Sequence, residues 1–139
     1  MSLAKTLNAI ANQAGKATLR VGFFADKTYP DGEYVANIAF KNEHGSPEDG
    51  VPPRPFFRTM IAEKKSGWGA SFAAMYNGDF NQTLAKLGMG ISNQLKDSIT
   101  EYHGAFPHNS AATIERKGFD RPLIDTGLMS NSTGYQVGE

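Results

Sequence analysis

The chain has 139 residues, room for one domain of ordinary size and not for two. Its 14 lysines and arginines balance 14 aspartates and glutamates, which argues against a protein whose main task is neutralising nucleic-acid phosphate. A content of 40% hydrophobic and 20% charged residues fits a folded chain, and the absence of cysteine excludes disulfides, thiolate nucleophiles and cysteine-held zinc.

Leu3, Leu7 and Ile10 recur at helical spacing among alanines, which predicts a helix from Leu3 to a stop at Gly15. The period then changes to two. In Thr18-Leu19-Arg20-Val21-Gly22-Phe23, the residues Leu19, Val21 and Phe23 share one side, the pattern of a half-buried strand. Thr28-Tyr29-Pro30-Asp31-Gly32 has the chemistry of a turn. Tyr34, Val35, Ile38 and Ala39 predict a short helix ended by Gly45. Ser46 to Pro55 reads as a loop whose prolines impose an extended course, with Pro55 suited to the first turn of the helix that follows.

In that helix Phe56 faces Met60 and Phe57 faces Ile61 at i and i+4. Ser66-Gly67 is expected to break it before a second short stretch built on Trp68, Phe72 and Met75. Gly78 then reads as a C-terminal cap, and Asp79 as an N-cap with Gln82 as its capping-box partner. From Phe80 to Tyr102 the apolar residues form one stripe, predicting a helix about 34 Å long. Gly88 and Gly90 interrupt it and offer another element a close approach. His103 to Asn109 reads as loop, Ser110 to Lys117 as a short helix, Asp125-Thr126-Gly127 as a turn, and Tyr135 to Val137 as a short strand. The expected fold is α+β: a single domain over residues 1–139, with a small antiparallel sheet packed against a long helix and several short helices.

No apolar run approaches the roughly 20 residues of a membrane span, and the first residues lack the charged start and apolar stretch of a secretory signal. The expectation is a soluble protein of a reducing compartment, or one indifferent to redox.

Few residues offer chemistry. Leu123-Ile124-Asp125-Thr126-Gly127 has the form in which retroviral-type aspartic proteases present their carboxylate. That reaction needs two such carboxylates in a homodimer, a flap, and a core downstream of the motif, whereas 12 residues follow Gly127. The plainer reading gives Asp125 a capping role. His44, His103 and His108 show no i, i+4 pair that would bind zinc, and Gly88-Met89-Gly90 lies within a helix stripe rather than in a phosphate loop. No catalytic, metal or cofactor residue is assigned.

Charge is unevenly spread. Residues 26–49 hold six acids against Lys27 and Lys41, a net of −4, and residues 54–65 hold four bases against Glu63, a net of +3. Two solvated faces would produce this, and so would patches on different sides of the domain that join copies head to tail. Phe56 and Phe57 are equally candidates for the anchor of such a contact and for core.

Three stretches taken together resemble a family of tailed-bacteriophage tail components that includes tail-completion and neck proteins. Val35-Ala36-Asn37-Ile38-Ala39-Phe40-Lys41-Asn42-Glu43-His44-Gly45 is similar to the family's segment ending in Asn-Glu-aromatic-Gly, with His44 in place of the aromatic. Val51-Pro52-Pro53-Arg54-Pro55-Phe56-Phe57-Arg58 is close to its Ile-Pro-Pro-Arg-Pro-Phe pattern. Thr113-Ile114-Glu115-Arg116-Lys117-Gly118 followed by Pro122-Leu123-Ile124-Asp125-Thr126-Gly127 resembles its C-terminal signature. The resemblance covers roughly residues 17 to 137.

It implies a non-enzymatic virion protein, present in the host cytoplasm during assembly, that forms a ring of six copies at the head-proximal end of the tail or in the neck. Its partners would be its own copies and neighbouring neck and tail proteins. DNA would pass through the lumen without sequence-specific binding, with no membrane and no cofactor involved. Candidate contact residues are Pro52, Pro53, Arg54, Pro55, Phe56 and Phe57, with Leu123, Ile124 and Asp125 in the tail. The rival readings are a homodimeric aspartic protease using Asp125 and a DNA-contacting module using the bases from Arg54 to Lys65.

Overall fold

The computed structural model describes residues 4, 5, 8, 16–24, 26–100 and 128–138. Strand β1 (Thr18–Phe23) is followed by helix α1 (Val35–His44), a 3-10 turn (Pro47–Asp49), helices α2 (Phe56–Met75) and α3 (Phe80–Thr100), a one-turn helix α4 (Leu128–Asn131) and strand β2 (Thr133–Gly138). The two strands pair antiparallel, with Val21 opposite Tyr135 and Thr18 opposite Gly138. The fold is α+β, as the sequence patterns indicate, and helices dominate it.

Helix α3 is the spine. Its stripe buries Ile91, Leu95 and Ile99 against Val35 and Ala39 of α1, Phe56 and Met60 of α2, and Met129 of α4, while Phe80 at its first turn is buried apart from that cluster, against Phe72. Burying one such aliphatic side chain is worth about 1.5–3 kcal/mol. The start of α3 is capped as its sequence predicts: Asp79 Oδ1 accepts the Gln82 backbone N–H at 3.0 Å. The reciprocal arm differs from a capping box, because Asn77 Oδ1 accepts the Asp79 N–H and Asn77 Nδ2 donates to Gln82 Oε1.

The sheet lies across α3 at Gly88. A Cβ at that position would stand 2.6 Å from Leu19 Cδ1 and 2.8 Å from Tyr135 Cδ2, so both strands rest on a bare patch of helix. Gly90 has nothing within 4 Å of the same position. Close approach thus holds for Gly88 alone.

Helix α2 departs from expectation. It runs unbroken through Ser66 and Gly67, although each interior glycine costs about 1 kcal/mol relative to alanine. Tertiary contacts outweigh that cost. Trp68, expected to begin a separate stretch, packs against the core, and its Nε1–H donates to Gln94 Oε1 of α3 at 2.8 Å. Further along, Phe72 meets Phe80 with ring centroids 4.9 Å apart. Gly78 (φ +97°) lies in the linker, two residues beyond the Tyr76 C-cap, rather than serving as the cap itself. Helix α4 is an element the sequence patterns do not indicate. Of the expected first helix, Ala4, Lys5 and Asn8 are described and helical; its remainder, the His103–Asn109 loop, the Ser110–Lys117 helix and the Asp125–Gly127 turn lie outside the described residues.

Candidate interaction surface

The proline-rich loop returns the chain sharply after α1. Gly45 adopts φ +80° at the end of that helix, and a Cβ there would lie 2.9 Å from the Pro53 nitrogen. Ser46 and Val51 exchange backbone hydrogen bonds of 2.7 and 2.9 Å around the 3-10 turn, and the Arg54 N–H donates to the Asn42 carbonyl at 2.6 Å. Asp49 accepts from the Ser46 hydroxyl at 2.8 Å and pairs with Lys41 at 3.1 Å. Hydrogen bonds from Ser46 and Lys41, with the charge of Lys41, hold the Asp49 carboxyl below the usual aspartate range. The same contact with Asp49, reinforced by the charge of Glu33, raises the Lys41 ammonium above its ordinary value.

This course delivers Pro55 to the N-cap of α2, where it has no side-chain oxygen to offer. Glu43 supplies the missing cap from the preceding helix. Its Oε2 accepts the Phe57 N–H and its Oε1 accepts the Arg58 N–H, both at 2.9 Å. These are the second and third residues of α2, the donors that a local N-cap would satisfy, and the helix dipole favours an anion there. Arg58 closes the clasp: Nε donates to Glu43 Oε1 and Nη2 to the Glu43 carbonyl, each at 3.0 Å. Glu43 is 6% exposed, so this is a buried carboxylate with several charge-assisted partners.

The expected separation of an acidic and a basic patch therefore fails at this point. Glu43 from the acidic segment and Arg58 from the basic one are paired within a single chain.

Above the clasp lies an open groove of about 400 Å³ between β1, α1 and the first turns of α2. Val21, Phe23, Phe24, Ala39, Phe57 and Ile61 form its apolar lining, and Glu43, His44 and Arg58 stand at its edge. Phe40, also on the groove, is 63% exposed and packs against His44 with centroids 4.4 Å apart and the rings tilted by 46°. A large exposed aromatic beside an apolar trough is the surface chemistry of an interface.

Of the candidate contact residues, Phe56 is 1% exposed and belongs to the core; it underlies the groove but leaves almost no surface for a partner to touch. Phe57 is half-buried and lines the groove, Pro53 is exposed, and Pro52, Arg54 and Pro55 are partly covered. The alternation follows from helical spacing: the Phe56–Met60 pair turns inward, and the Phe57–Ile61 pair forms the groove wall. Leu123, Ile124 and Asp125 lie outside the described residues. The sequence reading missed Phe40 and Glu43. A helix opened by proline, which cannot cap itself, was the signal that a carboxylate must come from elsewhere.

Among the described residues no cluster of histidine, aspartate and glutamate is arranged to hold a metal ion, and no helix is long and apolar enough to cross a membrane. Comparison with protein-family models, with curated proteins and with solved structures gives no match.

Proposed function

We propose that the chain is a structural subunit of a tailed bacteriophage. In this reading it assembles as a ring at the head-proximal end of the tail or in the neck, completing the tail and joining it to the head. The observation that carries the reading is the Glu43–Arg58 clasp. It binds two of the stretches that carry the family resemblance, residues 35–45 and 51–58, into one unit beside an open apolar groove.

Such a protein works by binding energy. An exposed Phe40 and a trough walled by Phe57 and Ile61 offer apolar area that a neighbouring copy or an adjoining ring would bury. A net charge of zero suits copies packed at high local density, since they do not repel one another. Particles made without the protein are expected to show filled heads lacking stably attached tails in electron micrographs. Class averages of complete particles should place a ring of its copies at the junction. Normal, infectious tails in its absence would remove the joining role.

A further inference from the structure

The groove and the acidic loop before α1 are complementary, and they face different ways. On the α2 wall, Arg58, Ile61 and Lys65 follow at steps of three and four, with Lys64 beside them, so the trough has a basic continuation along one helix face. Both lysines are exposed. Glu63 lies two residues from Lys65, hence roughly 160° round the helix and away from this face. The loop tip from Pro30 to Tyr34 carries Asp31 and Glu33, no base, and a Tyr34 that is 49% exposed.

Within one copy the two surfaces cannot meet. Lys41 holds Glu33 at 3.9 Å and so marks the side of α1 on which the acidic loop lies. At 100° per residue, Lys41 points roughly 130° away from the mean direction of Ala36, Ala39, Phe40, Glu43 and His44, the residues of α1 that line the groove. Complementary surfaces set at such an angle on one molecule are satisfied by translation and rotation to the next copy.

We propose that the groove receives the acidic loop of a second copy of this chain, with Tyr34 entering the trough beside Phe40 while Asp31 and Glu33 meet Lys64 and Lys65. The contact is heterologous: every copy offers a loop to one neighbour and a groove to the other. This rests on the ring reading above and names the surfaces that would build the ring.

The chain has no cysteine, so introduced thiols report alone. The double variant Pro30→Cys/His44→Cys puts one thiol on the loop tip and one on the groove beside Phe40, leaving Tyr34 and Phe40 in place. Treated at high concentration with a short bismaleimide, it is expected to give a ladder of dimers, trimers and larger species. Each single variant should stay monomeric on a denaturing gel. Adding Lys64→Glu and Lys65→Glu to the double variant should cut ladder yield at least about tenfold, because like charges then face each other.

A double variant without a ladder, while the unmodified protein sediments as an oligomer, overturns the groove contact and leaves the ring. Dimers from a single variant would mean a two-fold contact and overturn it too. So would capture of a different virion protein by His44→Cys in particles without any copy-to-copy product from the double variant. If the unmodified protein is solitary both at high concentration and within particles, the ring reading falls with it.

Discussion

Glu43 and Arg58 hold each other from both ends: the carboxylate of Glu43 accepts the backbone N–H and Nε–H of Arg58, while Nη2 of Arg58 donates to the backbone carbonyl of Glu43. Two helices separated by a proline-rich loop are thereby fixed at one angle, and the groove between them keeps its shape.

Replacing Glu43 tests how much of the fold depends on that clasp. Glu43→Ala should lower stability by about 2–3 kcal/mol, because two helix N–H groups lose a charged acceptor. The arginine arm adds little to this figure, its side chain being 58% exposed. Glu43→Gln should cost about half as much, since one acceptor oxygen remains. Urea unfolding midpoints measure both, and an unchanged midpoint for Glu43→Ala would show the cap to be energetically idle.

Glycines in the same helix should behave oppositely. Gly88→Ala drives a methyl group against Leu19 and the Tyr135 ring and should destabilise by about 1–2 kcal/mol after the gain in helix propensity is deducted. Gly90→Ala meets open space and should stabilise by about 0.5–1 kcal/mol. Thermal melts of the two variants are expected to move in opposite directions.

Gly45→Ala should be costly for a different reason. The residue combines a left-handed φ of +80° with a Cβ position 2.9 Å from the Pro53 nitrogen, so strain of about 1–3 kcal/mol is expected. The variant should also loosen the proline loop, seen as faster amide exchange at Val51 and Arg54.

The Asp49–Lys41 pair should give the loop a pH response with a definite sign. Asp49 has its folded pKa lowered, so its contribution is present above the ordinary aspartate value and is lost as pH falls through the folded value. Lys41 is raised, so its contribution is present below the ordinary lysine value and is lost as pH climbs through the folded one. Carboxyl chemical shifts should follow Asp49 titrating at lower pH in the native protein than in Lys41→Ala. Identical titrations would mean that the pair does not form in solution.

Local patterns carried most of the fold. Period-two alternation located β1 and a stripe of aliphatics located α3, because each signal is confined to neighbours along the chain. Gly88 and Gly90 marked a close approach, but that Gly88 alone serves it and that the sheet fills it depends on contacts distant in sequence. Continuity of α2 was not readable, since the indole of Trp68 reaches Gln94 of another helix and overrides the Ser66-Gly67 break. The site was half legible for the same reason. The i, i+4 rule paired Phe57 with Ile61, but only the packing of α1 against α2 decides that this pair forms a wall while Phe56 and Met60 go inside.

Pairing Thr18 with Gly138 joins positions 120 residues apart. During synthesis β1 waits without its hydrogen-bonding mate until every residue between Phe23 and Thr133 has left the ribosome, whereas α2 and α3 are successive and can associate at once. Trp68, the single tryptophan, sits on that early helical junction. In refolding, its fluorescence should therefore settle before the amides of β1 become protected, making the sheet the latch that closes last.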